Sequence, residues 1–463
     1  MKSQPITLVI PGLFVLLALA ALVAWVGGGH ALPLKLRLPG QDRAPGPGDA
    51  PAINLAGTFT KSDGVPAQLP GLWPGFRGPR MDGVSDEKAP LARAWNSGGP
   101  PVLWSVELGE GYAGAAVRAG RVYLLDYDQR QRDEVLRCLS LADGKEIWRR
   151  AYPVKVKRNH GMSRTVPAVS AKYVVSLGPK CHVLCVDAVT GDFKWGIDLV
   201  RQYRAKVPPW YAGQCPLIDG DRAIIAPGGT ALMIAVDCAT GKVLWKTPNP
   251  DNWPMSHSSI LPMTFNGKRM YVYTAVGGVV GVSTDDGRVL WKTDQWQIKI
   301  ATIPTPIPLS GGRIFLTGGY NAGSMMLQLK AQGDSISATP LFRLTPDQFG
   351  SGQQTPILYQ DHLYGVIPDG ELACIDLNGN TRWTSGNTKR FGLGPYTIAD
   401  GMIYLMNDTG LMTLVEATPA GYHQLAEAQV LTGHDSWAPL ALAGGRLIAR
   451  DLTRMVCLDV RRK

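Results

Sequence analysis

Side chains able to do chemistry recur at one kind of position in this 463-residue chain, just ahead of a short apolar stretch. Tyr112 stands before "AGAAV", His160 and Arg164 sit in "NHGMSRTVP", and Gln214 precedes "CPLI". His257 lies in "MSHSSILP", Gln353 and Gln354 in "SGQQTP", and His434, Asp435 and Trp437 in "GHDSWAP". Brought to one place, these imidazoles, amides, rings and one guanidinium would bind an anionic or sugar-like ligand. Such groups more commonly pair with loop backbone and ordered water in the channel. His434 beside Asp435 suggests part of a triad, but no G-x-S-x-G elbow accompanies it, which disfavours a nucleophilic hydrolase. No phosphate-binding or dinucleotide glycine motif occurs either.

What must position these residues is a repeat. The frame runs from a small residue through x-Asp-x-x-Thr-Gly and three further residues to Trp. It fits "CVDAVTGDFKW" (Cys185 to Trp195) and "AVDCATGKVLW" (Ala235 to Trp245) fully. Copies ending at Trp148 and Trp291 fit with substitutions, and Cys374 to Trp383 fits one residue short. Successive tryptophans lie roughly 46 to 50 residues apart, with a double interval before Trp383. The copy missing from that interval ends in "ATPLFRL", residues 338–344.

Each unit reads as four strands. A short stretch often opened by Pro comes first, then an apolar strand such as "YVVSLG", then the strand with the small-x-Asp motif, then the Trp strand. Asp and Thr-Gly supply the tight turn into the fourth strand. Four strands in 40 to 50 residues is the period of a propeller blade, and indoles wedged between blades bury large areas while keeping an N–H to donate. A seventh unit follows Trp383, and the eighth, "RLIARDLTRMVCLDV", stops at its third strand. Its missing strand is available in "PVLWSVEL", residues 101–108, which carries Trp104 without three strands before it. The expectation is an all-β, eight-bladed propeller over residues 101–463, closed by its own two ends so that no strand edge stays unpaired.

The A-x-D-x-x-T-G-x-x-x-W frame at 185–195 and 235–245 resembles the tryptophan-docking repeat of pyrroloquinoline quinone (PQQ) type β-propellers, and the lead-in "LWPGFRGPRMDGVS" (residues 72–85) looks like the segment preceding many bacterial members. The resemblance implies one of two functions, since the family includes quinoprotein alcohol and sugar dehydrogenases as well as non-enzymatic BamB-like scaffolds of the outer membrane. The vicinal Cys pair of many of those dehydrogenases and the C-x-x-C-H haem motif are both missing. A calcium–PQQ site needs converging acidic and amide ligands; Asp251 and Asn252 of "NPDNW" read rather as turn formers, and no family ligand aligns onto a position here. A non-catalytic module binding envelope proteins or polysaccharide, with no cofactor and no metal, is therefore expected; a PQQ- and calcium-dependent oxidoreductase is the alternative.

Residues Ile6 to Val26 carry no charge and would span roughly 30 Å as a helix, so residues 1–26 are expected to be a membrane anchor. Cleavage after the weak "GHA" site at Gly29 to Ala31 would instead make it a signal segment. Lys35, Arg37 and Arg43 lean against export by positive-inside counting, whereas the resemblance implies an extracytoplasmic propeller. Residues 27–70 are rich in Pro and Gly and read as a linker, followed by the lead-in over 71–100.

The formal charge of +10 is spread along the chain apart from "RRAYPVKVKRNH" (Arg149 to His160) and the terminal "RRK". Without a recognition motif, nucleic acid is not the expected partner; a solvated basic face, or mild attraction to an anionic membrane or polysaccharide, is. Cys138, Cys185, Cys374 and Cys457 occupy the small position of the repeat and read as core fillers. Cys181 and Cys185 would stand ~13 Å apart along one strand, too far for a disulfide.

Overall fold

The computed structural model describes residues 6–27, 52–86 and 88–462. The chain divides into two units, Met1–Ala50 and Pro51–Lys463. In the first, a helix covers Ile6–Gly27, with its side chains described from Gly12 onward. Among the described residues no helix is long and apolar enough to cross a membrane. Of the expected linker, residues 28–51 lie outside the described residues. Residues 52–70 are described and belong to the second unit, where Thr58–Lys61 is a strand.

The second unit is an eight-bladed β-propeller. Blade one comprises Ala116–Arg118, Arg121–Asp128, Asp133–Ser140 and Glu146–Pro153, paired antiparallel in chain order. Six further blades repeat this pattern, and the seventh ends with Gln424–Gln429. The eighth takes Ala441–Ala443, Arg446–Arg450 and Arg454–Asp459 from the C-terminal end of the chain and Val102–Glu107 from before blade one. Trp104 pairs with Cys457 in that closing sheet. The seam is reinforced by Arg450, whose guanidinium donates to the carbonyls of Gly109 and Ala113 at 2.8 and 3.2 Å. The expected closure is therefore observed.

The small position of the repeat has a direct steric origin. In six blades the third-strand small residue lies across the ladder from the tryptophan: Cys138 from Trp148, Cys185 from Trp195, Ala235 from Trp245, Gly281 from Trp291, Cys374 from Trp383 and Cys457 from Trp104. A Cβ on Gly281 would come within 2.1 Å of the Trp291 indole nitrogen. Of the two blades without tryptophan at this position, one exchanges volumes across the pair and the other sets two large side chains together. Blade seven sets Leu414 opposite Ala426, and blade five sets Met326 opposite Phe342. Directly after the pair every blade shifts register, so the fourth strand bends at a bulge.

Each indole then meets the neighbouring blade. A Cβ on Gly144, Gly191, Gly241 or Gly287 would fall within 3 Å of Trp104, Trp148, Trp195 or Trp245, respectively. These four turn glycines all have φ between 72° and 75°, the left-handed conformation this turn requires whether it reads Thr-Gly, at 191 and 241, or Asp-Gly, at 144 and 287. Trp104, Trp195 and Trp383 also donate their indole N–H to carbonyls of the next blade, Leu141, Cys238 and Thr418, at 2.9 to 3.0 Å. Trp291 donates instead to the Met270 sulfur of its own blade. At the interfaces of Trp104, Trp195 and Trp383 apolar burial and one directed bond act together, whereas the buried indole N–H groups of Trp148 and Trp245 have no partner among the described residues. All seven cysteines are buried and unbridged, Cys181 and Cys185 included.

Residues before the first full blade complete two sheets. Thr58–Lys61 adds an outer strand to blade one, pairing with residues 148–151. Leu72–Trp73 pairs with the innermost strand of blade one, and Val84–Ser85 runs parallel to the innermost strand of blade seven. Between them the chain crosses the propeller axis. The Pro74 carbonyl accepts from Val169 of blade two at 2.7 Å, while Arg77 reaches blade six. Arg77 is the centre of this crossing. Its guanidinium donates to the carbonyls of Thr355, Pro356, Met81 and Asp82 at 2.7 to 3.1 Å. Removal from water pulls its pKa down to about 10, so it stays charged at neutral pH.

Candidate functional site

Loops entering the innermost strands converge at one end of the axis, around a cavity of about 320 Å³. Seven of the residues singled out from the sequence line it: Tyr112, His160, Arg164, His257, Gln353, Gln354 and Trp437. The floor is Phe76, from the lead-in segment that crosses the axis. A second cavity of about 390 Å³, also bordered by Phe76, lies at the other end of the innermost strands near Ala171 and Gly220.

Arg164 is the cationic centre of the mouth. Its guanidinium stacks 4.9 Å from the Tyr112 ring centroid and donates to the Gly161 carbonyl at 3.1 Å, while its buried Nε has no partner among the described residues. Burial draws its pKa down to about 10, leaving it a cation at pH 7. His257 goes the other way in charge. Burial lowers its pKa to about 4, the Pro209 carbonyl only partly opposing, so the imidazole is neutral. Its Nε2 lies 2.8 Å from that carbonyl, which can only accept; Nε2 therefore carries the proton, and Nδ1 is an acceptor.

The aromatic wall is tied from behind. Tyr112 and Trp437 lie 5.1 Å apart, and the Trp437 indole donates to Asp408 at 2.7 Å. The Gln354 amide donates to the carbonyls of Leu393 and Trp437 at 3.3 and 3.1 Å. Asp435 accepts from the Tyr112 hydroxyl at 3.1 Å, and burial, with Asp435 adding to it, pushes the Tyr112 phenol up to about 12. Asp435 thus buttresses the wall without lining the cavity.

Two sequence candidates have other roles. Gln214 is fully buried, exchanging hydrogen bonds with the backbone of Ala226 at 2.9 and 3.3 Å. The His434 side chain is largely exposed, 3.4 Å from Asp435, and the hydroxyl that reaches this pair is the phenol of Tyr112, at 3.1 Å from Asp435. Several lining residues escape sequence reasoning: Phe76, Trp210, Ile303, Tyr320 and Leu393. Trp210 and Tyr211 both have positive φ, 58° and 75°, and "PPW" was the one local sign of an unusual turn there.

None of the residues lining the mouth is a carboxylate; Asp435 and Asp408 stand behind it, on Tyr112 and Trp437. Calcium takes six to eight oxygen ligands, usually with several carboxylates, so this donor set does not fit a calcium–PQQ site. Asp251 pairs with Lys292, and Asn249 clamps its own turn through Trp253. Among the described residues no group of three or more His, Cys, Asp or Glu is placed to hold a metal ion.

Comparison with known proteins places this architecture. No curated protein sequence matches the chain. Among solved structures, BamB from Moraxella catarrhalis superposes with a TM-score of 0.53 at 14% identity, covering 78% of this chain and 99% of that one. The quinohemoprotein alcohol dehydrogenase ADHIIG from Pseudomonas putida HK5 gives 0.56 at 14% identity, over 86% and 81%. The computationally designed Ika8 protein gives 0.52 at 11%, over 77% and 99%. At such identities these likenesses speak to fold alone. Residues 131–385, more than half of the chain, match the family model described as outer membrane protein assembly factor BamB, and the chain belongs to that family of PQQ-type repeat propellers.

Proposed function

We propose that this propeller is a non-catalytic binding and scaffold module for protein partners at the cell envelope. The observation that carries the reading is the lead-in segment. Phe76 floors the axial mouth, Arg77 anchors the same segment to blade six, and no residue lining the mouth is a carboxylate that could hold the metal of a quinone site. The family likeness to BamB supports the same reading. The uncharged run Ile6 to Val26 supports an N-terminal tether that keeps the module at a membrane, with the propeller on the extracytoplasmic side.

A quinoprotein oxidoreductase predicts the opposite result in one experiment. The purified full chain is titrated with PQQ in the presence of Ca²⁺, following quinone absorbance and alcohol-dependent dye reduction. Neither saturable binding nor turnover is expected. Saturable turnover that disappears in His257→Ala or Arg164→Ala would overturn the scaffold reading. Photo-crosslinkers on exposed blade edges, compared in native membranes with and without the N-terminal segment, then test for one reproducible envelope partner.

A further inference from the structure

The loop between blades one and two builds two features at once. On its axial side His160 and Arg164 line the aromatic mouth. On its outer side Lys155, Lys157 and Arg158 border a groove of about 440 Å³, closed by Arg132 from the hairpin of blade one and by Lys180 from the corresponding hairpin of blade two. Inter-blade loops and these hairpins leave a propeller on the same face, so groove and mouth open together.

The groove's cations are largely uncommitted. Arg158 is paired with Glu110 at 2.7 Å, and Lys180 lies 5.0 Å over the Tyr211 ring. Lys155 and Lys157 are exposed, as is Arg132, and none has an ion-pair partner among the described residues. Tyr211 bonds the Lys157 carbonyl and follows Trp210, which lines the mouth, so one side chain ties the basic groove to the aromatic cavity. On the far side, a pocket of about 200 Å³ continues past Tyr320 and Gln354 toward blade seven.

We propose that this face binds an acidic polysaccharide, its carboxylate or sulfate groups on Arg132, Lys155 and Lys157 and one sugar ring in the mouth lined by Tyr112, Trp210 and Trp437. The chemistry matches part by part. Lysines act as point charges for scattered anions. Aromatic faces take the apolar side of a sugar ring, while the Gln353 amide, the acceptor Nδ1 of His257 and the guanidinium of Arg164 in the cavity wall suit ring hydroxyls and a carboxylate. A ligand meeting both groove and mouth is longer than one ring, hence a polymer. Tyr112 and Trp437 are tilted 36° to one another and Trp210 to His257 by 48°, which closes the wall into a pocket instead of the open series of platforms that successive stacked bases need. The site stands whether or not a protein docks on the blade edges.

Binding of the full chain to polygalacturonate, neutral dextran and an oligothymidylate of matched charge is measured calorimetrically at two salt concentrations. Polygalacturonate should bind, more weakly at high salt, and dextran and the oligonucleotide at least about tenfold less tightly. Lys155→Glu with Lys157→Glu should weaken polygalacturonate by roughly tenfold or more and flatten the salt dependence. Trp210→Ala should weaken it severalfold with the salt dependence kept. If that variant melts earlier than the parent, Tyr320→Ala, on an exposed side chain, takes its place. Wild-type binding by the double variant, an unchanged affinity in the aromatic variant, or equal binding of the oligonucleotide each overturns the proposal.

Discussion

Trp104 and Cys457, from opposite ends of the propeller sequence, face each other across the ladder of the last blade, and the indole then donates to Leu141 of the first at 3.0 Å. One side chain therefore completes a sheet and bonds it to its neighbour. It acts there together with the strand ladder and the Arg450 guanidinium. Removing the indole leaves a cavity and an unpaired carbonyl at the seam.

Trp104→Ala is expected to cost about 3 to 5 kcal/mol, as large-to-small changes in cores do. Trp383→Ala should cost less, because Trp383 is only half-buried. Urea titration of both variants checks the order. Equal loss, or a Trp104 loss under about 1 kcal/mol, would count against the indole as a contact that holds the seam.

The pairing of a small residue with each tryptophan predicts a clash. Gly281→Ala places a methyl within 2.1 Å of Trp291, forcing the ring off its position, at a cost of about 1 to 3 kcal/mol. The double variant Gly281→Leu with Trp291→Ala imitates the Leu414 and Ala426 pair of blade seven. It should recover much of that loss in a thermal melt, and failure to do so would mean that volume is not what the pair conserves.

Arg77 holds the lead-in segment across the axis through four carbonyls. Arg77→Met leaves these acceptors without their donor and should destabilise by roughly 2 to 4 kcal/mol. Limited proteolysis should then cut within residues 72–85 well before the blades. Arg77→Lys, with one nitrogen in place of a planar fork, should rescue little. Protection equal to the parent would show that strand pairing alone secures the segment.

Glu134 is 1% exposed, with neither carboxyl oxygen hydrogen-bonded among the described residues. Burial raises its pKa from 4.5 to about 8, the neighbouring Tyr152 opposing this only in part. The folded state therefore holds a proton that the unfolded chain has released between these values. Stability should be greatest from this group below about pH 4.5 and should fall, on the order of 1 kcal/mol per pH unit, as pH rises to 8. Glu134→Gln should lose that slope in melts taken across the range. A parent and variant with parallel profiles would contradict the assignment.

Much of the fold was legible because a blade writes itself locally. A glycine turn, an alternating apolar strand and a bulky ring opposite a small residue are all near neighbours in the chain, so the Trp148, Trp195, Trp245 and Trp291 copies could be aligned without knowing what they touch. Even the degenerate fifth blade showed itself through spacing. The candidate site was legible in part. Tyr112, Arg164 and His257 reach one cavity since every inter-blade loop ends at the axis, whereas Gln214 occupies an equivalent place and turns inward to Ala226. Rotamer choice and local packing separate these two outcomes, and neither has a sequence signature.

Sequence alone determined the repeat, the number of blades and the sharing of the last blade between the chain's two ends, because periodic burial leaves a periodic pattern. Only the tertiary structure decided that residues 72–85 thread the axis, that Arg77 is saturated by carbonyls of Thr355 and Pro356, and that Trp210 joins the mouth. These contacts link segments far apart in the chain and run largely through backbone carbonyls, which every residue type possesses. A bond that any amino acid can accept leaves no trace in the identity of the acceptor, so it becomes visible only when the chain is folded.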